Sequence, residues 1–330
     1  MDRRQLLCLL TAFLLPACSR DEDSRAGSGA SGGDGTKGTI AVSLLTLDNP
    51  FFKVIGDTIT EEARKHGYAT LVVSGDNDVA KQQNQVKDFI VQGAAAIVLS
   101  PCDSKAIGPV IGEANAAGVP VFTIDIACQA TGVEVVSHIA TDNLLGGKLA
   151  AEAMIEALGA SGGEVAILDY KEVESCILRV QGFKEVIENH NASSSAPVRI
   201  VTELPCAGSK DRGYASAQDA LQAHAGLDGI FAINDPAALG ARAALEKAGK
   251  EKEIVLVGFD GMPEGKQAIK DGKIYADPIQ FPDRMAKETV EAIVRHFRGD
   301  EVKKEILIAP ELYRKADAEK DPALAAGGNT

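Results

Sequence analysis

Tryptophan is missing from the sequence, and aromatic residues make up only 5% of it. Indole platforms for stacking long sugar chains are therefore excluded, while phenylalanine stacking stays available. Cations are outnumbered, 34 Lys and Arg against 47 Asp and Glu, for a formal charge of −13. That balance is a poor basis for nonspecific nucleic-acid binding, which draws its affinity from phosphate neutralisation. Histidines number five, and no two of the six cysteines form a Cys-x-x-Cys pair, so zinc-ligand spacing is lacking. The glycine-rich run Gly27–Gly33 has neither a buried strand before it nor Lys-Ser or Lys-Thr after it, so it is no phosphate loop. A dinucleotide fingerprint and a base–nucleophile pair are missing as well. The apolar run Leu6 to Leu15 falls short of the ~20 residues a membrane-spanning helix needs.

What is present begins with that run. Arg3 and Arg4 precede it, and Leu15-Pro16-Ala17-Cys18 follows, the order of an export signal. The cysteine makes it resemble a bacterial lipoprotein signal, with residues 1–17 removed and a lipid on Cys18. Each buried lipid methylene contributes about 0.8 kcal/mol, so several chains hold firmly. Residues 18–38 are polar and Gly/Ser-rich, a tether that cannot build a core. The expected location is periplasmic, lipid-anchored to a bacterial membrane; Ser19 after the cysteine inclines sorting to the outer one by analogy with enteric bacteria. Cys8 leaves with the signal and Cys18 is taken by lipid. The four that remain in an exported chain suggest the disulfides Cys102–Cys128 and Cys176–Cys206, the alternative being four free thiols.

From Thr39 the chain alternates buried strands with helices. Strands are expected at Ile40–Leu45, Ala69–Val73, Ala95–Leu99, Val119–Ile124, Glu164–Leu168, Val198–Glu203, Gly229–Ile233, Ile254–Val257, Ile274–Asp277 and Glu305–Ile308. Helices fall between most of them, among them Phe51–His66, Leu144–Leu158, Leu178–Glu188 and Asp283–Phe297. His138 is assigned to a connecting segment, and a polar tail starts at Ala316. This pattern predicts an α/β protein with two Rossmann-like lobes, each a parallel sheet covered by helices. Two strands end in a carboxylate: Val119–Ile124 runs into Asp125, and Ile254–Val257 into Gly258-Phe259-Asp260-Gly261. Open α/β sheets bind ligands at this edge, so a small molecule held between the lobes is expected.

The segments Asp48-Asn49-Pro50-Phe51-Phe52, Val135–Asn143, Phe231–Asp235, Val257–Gly261 and Gln280-Phe281-Pro282-Asp283, in that order, carry a family likeness. From Thr39 to about residue 315 the chain resembles periplasmic sugar-binding proteins of the ribose-binding type, the solute receptors of ATP-driven (ABC) importers. The resemblance implies a type I periplasmic-binding-protein fold with a three-crossing hinge. It places 39–140 plus 282–308 in the N-terminal lobe, 141–281 plus 309–316 in the C-terminal lobe, and 317–330 in the tail. It also implies that Asn49, Phe51, Phe52, Ser100, Asp125 and Ile126 face Arg179, Asn234, Phe259, Asp260 and Gln280 across a sugar. Carboxylates, amides and an arginine would satisfy hydroxyls while phenyl rings cover C–H faces.

Three positions depart from the ribose binders: Ile126 replaces an arginine, Ser100 an asparagine, and the loop at Gly208 lacks a phenylalanine. They point toward a hexose, another pentose or a polyol. Asp48, Glu172, Glu174 and Asp277 lie near cleft loops and are candidate additional contacts, the alternative being solvated surface acids. The implied protein is a monomeric, non-catalytic receptor that delivers a monosaccharide or polyol to a permease and its ATPase. It needs no cofactor, metal or nucleic acid. A receptor for chemotaxis or a sensor kinase is the alternative function. A glycoside-processing enzyme built on Asp125 and Asp260 is a third, and it lacks supporting motifs.

Overall fold

A computed structural model describes residues 36–325. The first half of the chain reads β1 (Thr39–Leu44), α1 (Pro50–Lys65), β2 (Ala69–Ser74), α2 (Val79–Val91), β3 (Ala96–Leu99), α3 (Gly108–Ala116), β4 (Val121–Ile124) and β5 (Ser137–Thr141). Alternation along β1 shows why the sheet is covered twice. Ile40, Val42 and Leu44 pack with Phe51, Ile55 and Ile59 of α1, while Ala41 packs on the other side with Val86, Phe89 and Ile111. A parallel strand buried on both faces must be apolar at nearly every position, as this one is.

A second series follows: α4 (Asn143–Leu158), β6 (Gly163–Asp169), α5 (Glu174–Asn191), β7 (Val198–Pro205), α6 (Lys210–Ala223), β8 (Leu227–Ala232), α7 (Asp235–Ala248), β9 (Val255–Val257), α8 (Pro263–Lys270) and β10 (Ala276–Ile279). The chain closes with α9 (Pro282–Arg298), β11 (Glu305–Ile308), β12 (Glu311–Arg314), α10 (Lys315–Ala318) and α11 (Pro322–Ala325). The first sheet runs β2-β1-β3-β4-β5-β11 and the second β7-β6-β8-β9-β10-β12, the same winding twice. All pairings are parallel except β10 with β12. The bilobed α/β architecture anticipated from the sequence is the one observed.

Three passages connect the sheets: from β5 into α4, from β10 into α9, and from β11 into β12. They are stitched together, for the Asp142 amide donates to the Ile308 carbonyl at 2.9 Å. Thr141 Oγ1 donates to Gln280 Oε1 at 2.6 Å. Polar contacts thus tie the crossings to one another.

Several elements differ from expectation. His138 lies within β5, hydrogen-bonded through Nδ1 to Thr123 Oγ1 at 2.9 Å, and burial pulls its pKa down to about 4. Strand β12 forms within 309–316, where no strand is expected, and the short helices α10 and α11 extend into what reads as tail. All four described cysteines are free thiols, so neither expected disulfide forms. The Cys102 thiol turns to the Leu45 carbonyl at 3.7 Å in one core cluster, while Cys128 packs against the other. Cys176 lies on the wall of the cleft, and Cys206 is wholly buried. Burial raises all four, Cys102 and Cys206 to about 12, which keeps them protonated. Cys18, the signal 1–17 and most of the tether lie outside the described residues.

Candidate functional site

The carboxyl edges of the two sheets face each other across a cavity of about 490 Å³. Asn49, Phe51, Phe52, Asp125 and Ile126 line it from the first lobe; Arg179, Asn234 and Asp260 line it from the second, with Gln280 at a crossing. Asp48 reaches its wall as well. Phe51 and Phe52 meet edge to face, centroids 5.2 Å apart and planes at 89°, giving one apolar corner.

The two aspartates come out of their strands alike. Asp125 has φ 64° and Asp260 φ 104°, a region that side chains other than glycine rarely enter. Asn77 and Ala207 also have positive φ and also line the cavity; of the five such non-glycine residues described, only Asp76 does not. Backbone strain of order 1–3 kcal/mol per residue is thus concentrated around one space, as it is at binding sites.

Each carboxylate has its own environment. Asp125 is buried with Oδ1 lacking any hydrogen-bond partner. Burial lifts its pKa to about 7, opposed by Arg179 and reinforced by Asp260 and Glu174. Asp260 Oδ1 accepts from Gln280 Nε2 at 2.7 Å and from Arg179 Nη1 at 3.4 Å. Burial raises its pKa too, and Arg179 and Gln280 hold that rise in check.

Arg179 is fixed on several sides. Its Nε donates to Asn143 Oδ1 at 2.8 Å and its Nη1 to the Ile233 carbonyl at 2.7 Å. Its guanidinium lies 3.8 Å from the centroid of the Phe259 ring. The helix bearing it packs on α4 through glycines: a Cβ on Gly147 would sit 2.0 Å from the Arg179 carbonyl oxygen, and one on Gly182 2.1 Å from that of Leu144. These glycines are points of close helix approach.

Other expected site residues stand elsewhere or are already engaged. Phe259 is fully buried beneath Arg179 and off the cavity wall, so it supports the arginine. Ser100 is fully buried with Oγ unpaired, in a pocket of polar backbone served by Gln82, and does not line the cavity. Asn234 uses Oδ1 to cap α7 at Ala237 N and donates Nδ2 to the Gly208 carbonyl. Gln280 spends both ends of its amide on Thr141 and Asp260.

Asp277 is fully buried behind Gly258, whose Cβ would sit 2.5 Å from Asp277 Oδ1. It pairs there with Asp235, and burial raises both carboxyls. As two carboxylates they would leave Asp235 Oδ1 and both Asp277 oxygens without donors. One proton held between them pairs two of those three oxygens and lowers that cost.

Glu172 and Glu174 lie at the rim and join the lobes. Ser104, between β3 and α3, donates its amide to the Glu172 carbonyl at 3.0 Å. Its Oγ accepts the Glu174 amide at 2.9 Å. Burial raises the Glu174 carboxyl, and the Ala127 amide of the first lobe works against that rise.

Sequence reasoning missed Tyr170, Ser175 and Cys176, all on the cavity wall. Tyr170 directly follows β6, and burial raises its phenol well above the ordinary value. Ser175 and Cys176 belong to the first turn of α5, which begins four residues before the expected start at Leu178. No helix of the described residues is long and apolar enough to cross a membrane.

Residues 40–301 match a family described as a periplasmic binding protein domain. The chain is 36% identical over 266 residues to the ribose import binding protein RbsB of Escherichia coli (strain K12), covering 81% of this chain and 87% of that one. It is 34% identical over 283 residues to the D-apiose import binding protein of Paraburkholderia graminis, covering 85% and 88%. Among solved structures it superposes on an ABC transporter solute binding protein from Agrobacterium vitis with bound D-fucose. There the TM-score is 0.79 at 29% identity, covering 87% of this chain and 99% of that one.

Proposed function

Because the chain belongs to the periplasmic binding protein family, we propose that it captures one neutral monosaccharide or polyol between its lobes and hands it to the permease and ATPase of an ABC importer. The observation that carries this reading is the convergence of Asp125 and Asp260 on one cavity, the first with an unpartnered buried oxygen. Such an oxygen calls for a donor, and a ligand hydroxyl is one. Four lining carboxyl groups, Asp48, Asp125, Asp260 and Glu264, against the two cations Arg179 and Lys210 disfavour an anionic ligand.

Asn49 keeps its amide nitrogen for the ligand, since only Oδ1 is used in capping α1 at Phe51 N. Phe51 and Phe52 cover C–H faces, Ile126 bounds the space beside Asp125, and Asp48 lies at the edge. Asn234, Gln280, Phe259 and Ser100 act by positioning. The lobes are residues 39–140 plus 282–308 and 141–281 plus 309–316, and they open about the three crossings. The receptor works as a monomer in the periplasm, with Cys18 carrying the lipid that keeps it at the membrane.

Isothermal titration with D-ribose, D-apiose, D-allose, D-fucose and myo-inositol tests the reading. Binding of at least one at micromolar concentration is expected. Silence toward all of them at millimolar concentration would overturn it. Intact-mass analysis of the membrane-extracted protein tests the anchor, with Cys18→Ala expected to lose the added lipid mass.

A further inference from the structure

We propose that the first turn of α5 is a ligand subsite which selects one hydroxyl or hydroxymethyl group of the bound sugar. The inference rests on the reading of the cavity as a monosaccharide site and names a determinant of its specificity. Ser175 is 2% exposed, lines the cavity, and gives its hydroxyl no hydrogen bond to any described residue. Val173, ahead of the helix, supplies no side-chain cap. The Glu174 amide is taken by Ser104, which leaves the Ser175 and Cys176 amides as the donors of an 18-residue helix beside the cavity. Unsatisfied amides at a helix start favour acceptor oxygens.

A second feature points the same way from the facing lobe. The unpartnered Oδ1 of Asp125 accepts and cannot donate while ionised, whereas the α5 turn donates. A sugar hydroxyl is both acceptor and donor, so it suits a cavity whose two walls differ in this way. The flanking groups add little competition: Val173 is apolar, and the Cys176 thiol is a weak donor kept protonated by burial. Ser175 is therefore the side chain through which the turn reads its ligand.

Titration calorimetry on wild type, Ser175→Ala and Ser175→Thr provides the test, using the tightest of D-ribose, D-allose, D-fucose and myo-inositol together with its single-deoxy derivatives. Ser175→Ala is expected to weaken the parent compound about tenfold, the loss typical of one buried hydrogen bond, and Ser175→Thr to restore part of it. For one deoxy derivative wild type and Ser175→Ala should bind equally. Unchanged thermal unfolding of Ser175→Ala would exclude misfolding as the cause. An even loss across all derivatives, or no loss, overturns the subsite alone; a wild type that binds none of the compounds overturns the monosaccharide reading with it.

Discussion

Ser104 of the first lobe caps a helix of the second, its Oγ accepting the Glu174 amide at 2.9 Å. Helix α5 has no cap of its own, because Val173 precedes it. A side-chain cap stabilises a helix start by about 0.5–2 kcal/mol, and here that energy exists only while the lobes are together. The return bond from Ser104 N to the Glu172 carbonyl, 3.0 Å, adds to the same contact. Ser104→Ala should therefore lower affinity about threefold to tenfold for every ligand alike, without reordering them. Small-angle scattering of the ligand-free protein should report a larger open fraction. Unaltered affinity would show that closure does not draw on this bond.

The close approach of α4 to Phe259 at Gly146 gives a second prediction. A Cβ at Gly146 would lie 2.5 Å from Phe259 Cζ, and Phe259 is the ring on which Arg179 rests. Gly146→Ala should destabilise the protein by about 1–3 kcal/mol, the usual cost of overpacking, and weaken ligand binding by moving the guanidinium. Denaturant unfolding and calorimetry measure the two effects. A destabilised variant with intact affinity would mean that the ring does not set the arginine's place.

Arg179 itself is tested by replacement with lysine. The ammonium retains charge but cannot lie flat on Phe259 while donating to Asn143, Ile233 and Asp260. Affinity should fall more than tenfold, with the apparent pKa of Asp260 rising because its neighbouring cation is less well held. Carboxyl titration by NMR reads the second effect, and an unmoved Asp260 would argue against the coupling.

How much of this was legible follows from where each signal resides. Strands buried on both faces announce themselves as apolar runs, so both sheets could be read, and Asp125 and Asp260 were visible as acids ending such runs. The positive φ values that aim them depend on long-range pairing, such as Asp125 N with the Ile139 carbonyl at 2.9 Å, and leave no local trace. The start of α5 was hidden because its cap comes from residue 104, some seventy positions away. Phe259, Asn234 and Gln280 are expected from the sequence to touch a ligand; Asn234 and Gln280 line the cavity with their amides engaged by neighbours, and Phe259 lies off its wall. Whether a side chain meets the ligand or a neighbour is decided by packing that sequence spacing does not encode. Ser100 and Asp277 were misplaced for the same reason. Strand β12 escaped notice as a four-residue edge strand with polar ends.

The buried pair Asp235–Asp277 makes stability depend on pH. Burial raises both carboxyls above their unfolded values, Asp277 to about 7. The folded chain thus holds a proton that the unfolded chain gives up near pH 4, so stability is greatest below that pH and falls as pH climbs toward 7. Asp125, also raised to about 7 by burial, adds in the same direction in the absence of ligand. Thermal unfolding of the ligand-free protein should give a midpoint that declines from pH 5 to pH 8. Asp277→Asn can donate its amide to Asp235 without a titrating proton, so its midpoint should decline less and exceed wild type at pH 8. Equal slopes for the two proteins would mean that no shared proton is present, leaving the other buried carboxyls, Asp125, Asp260 and Glu174 among them, to account for whatever pH dependence remains.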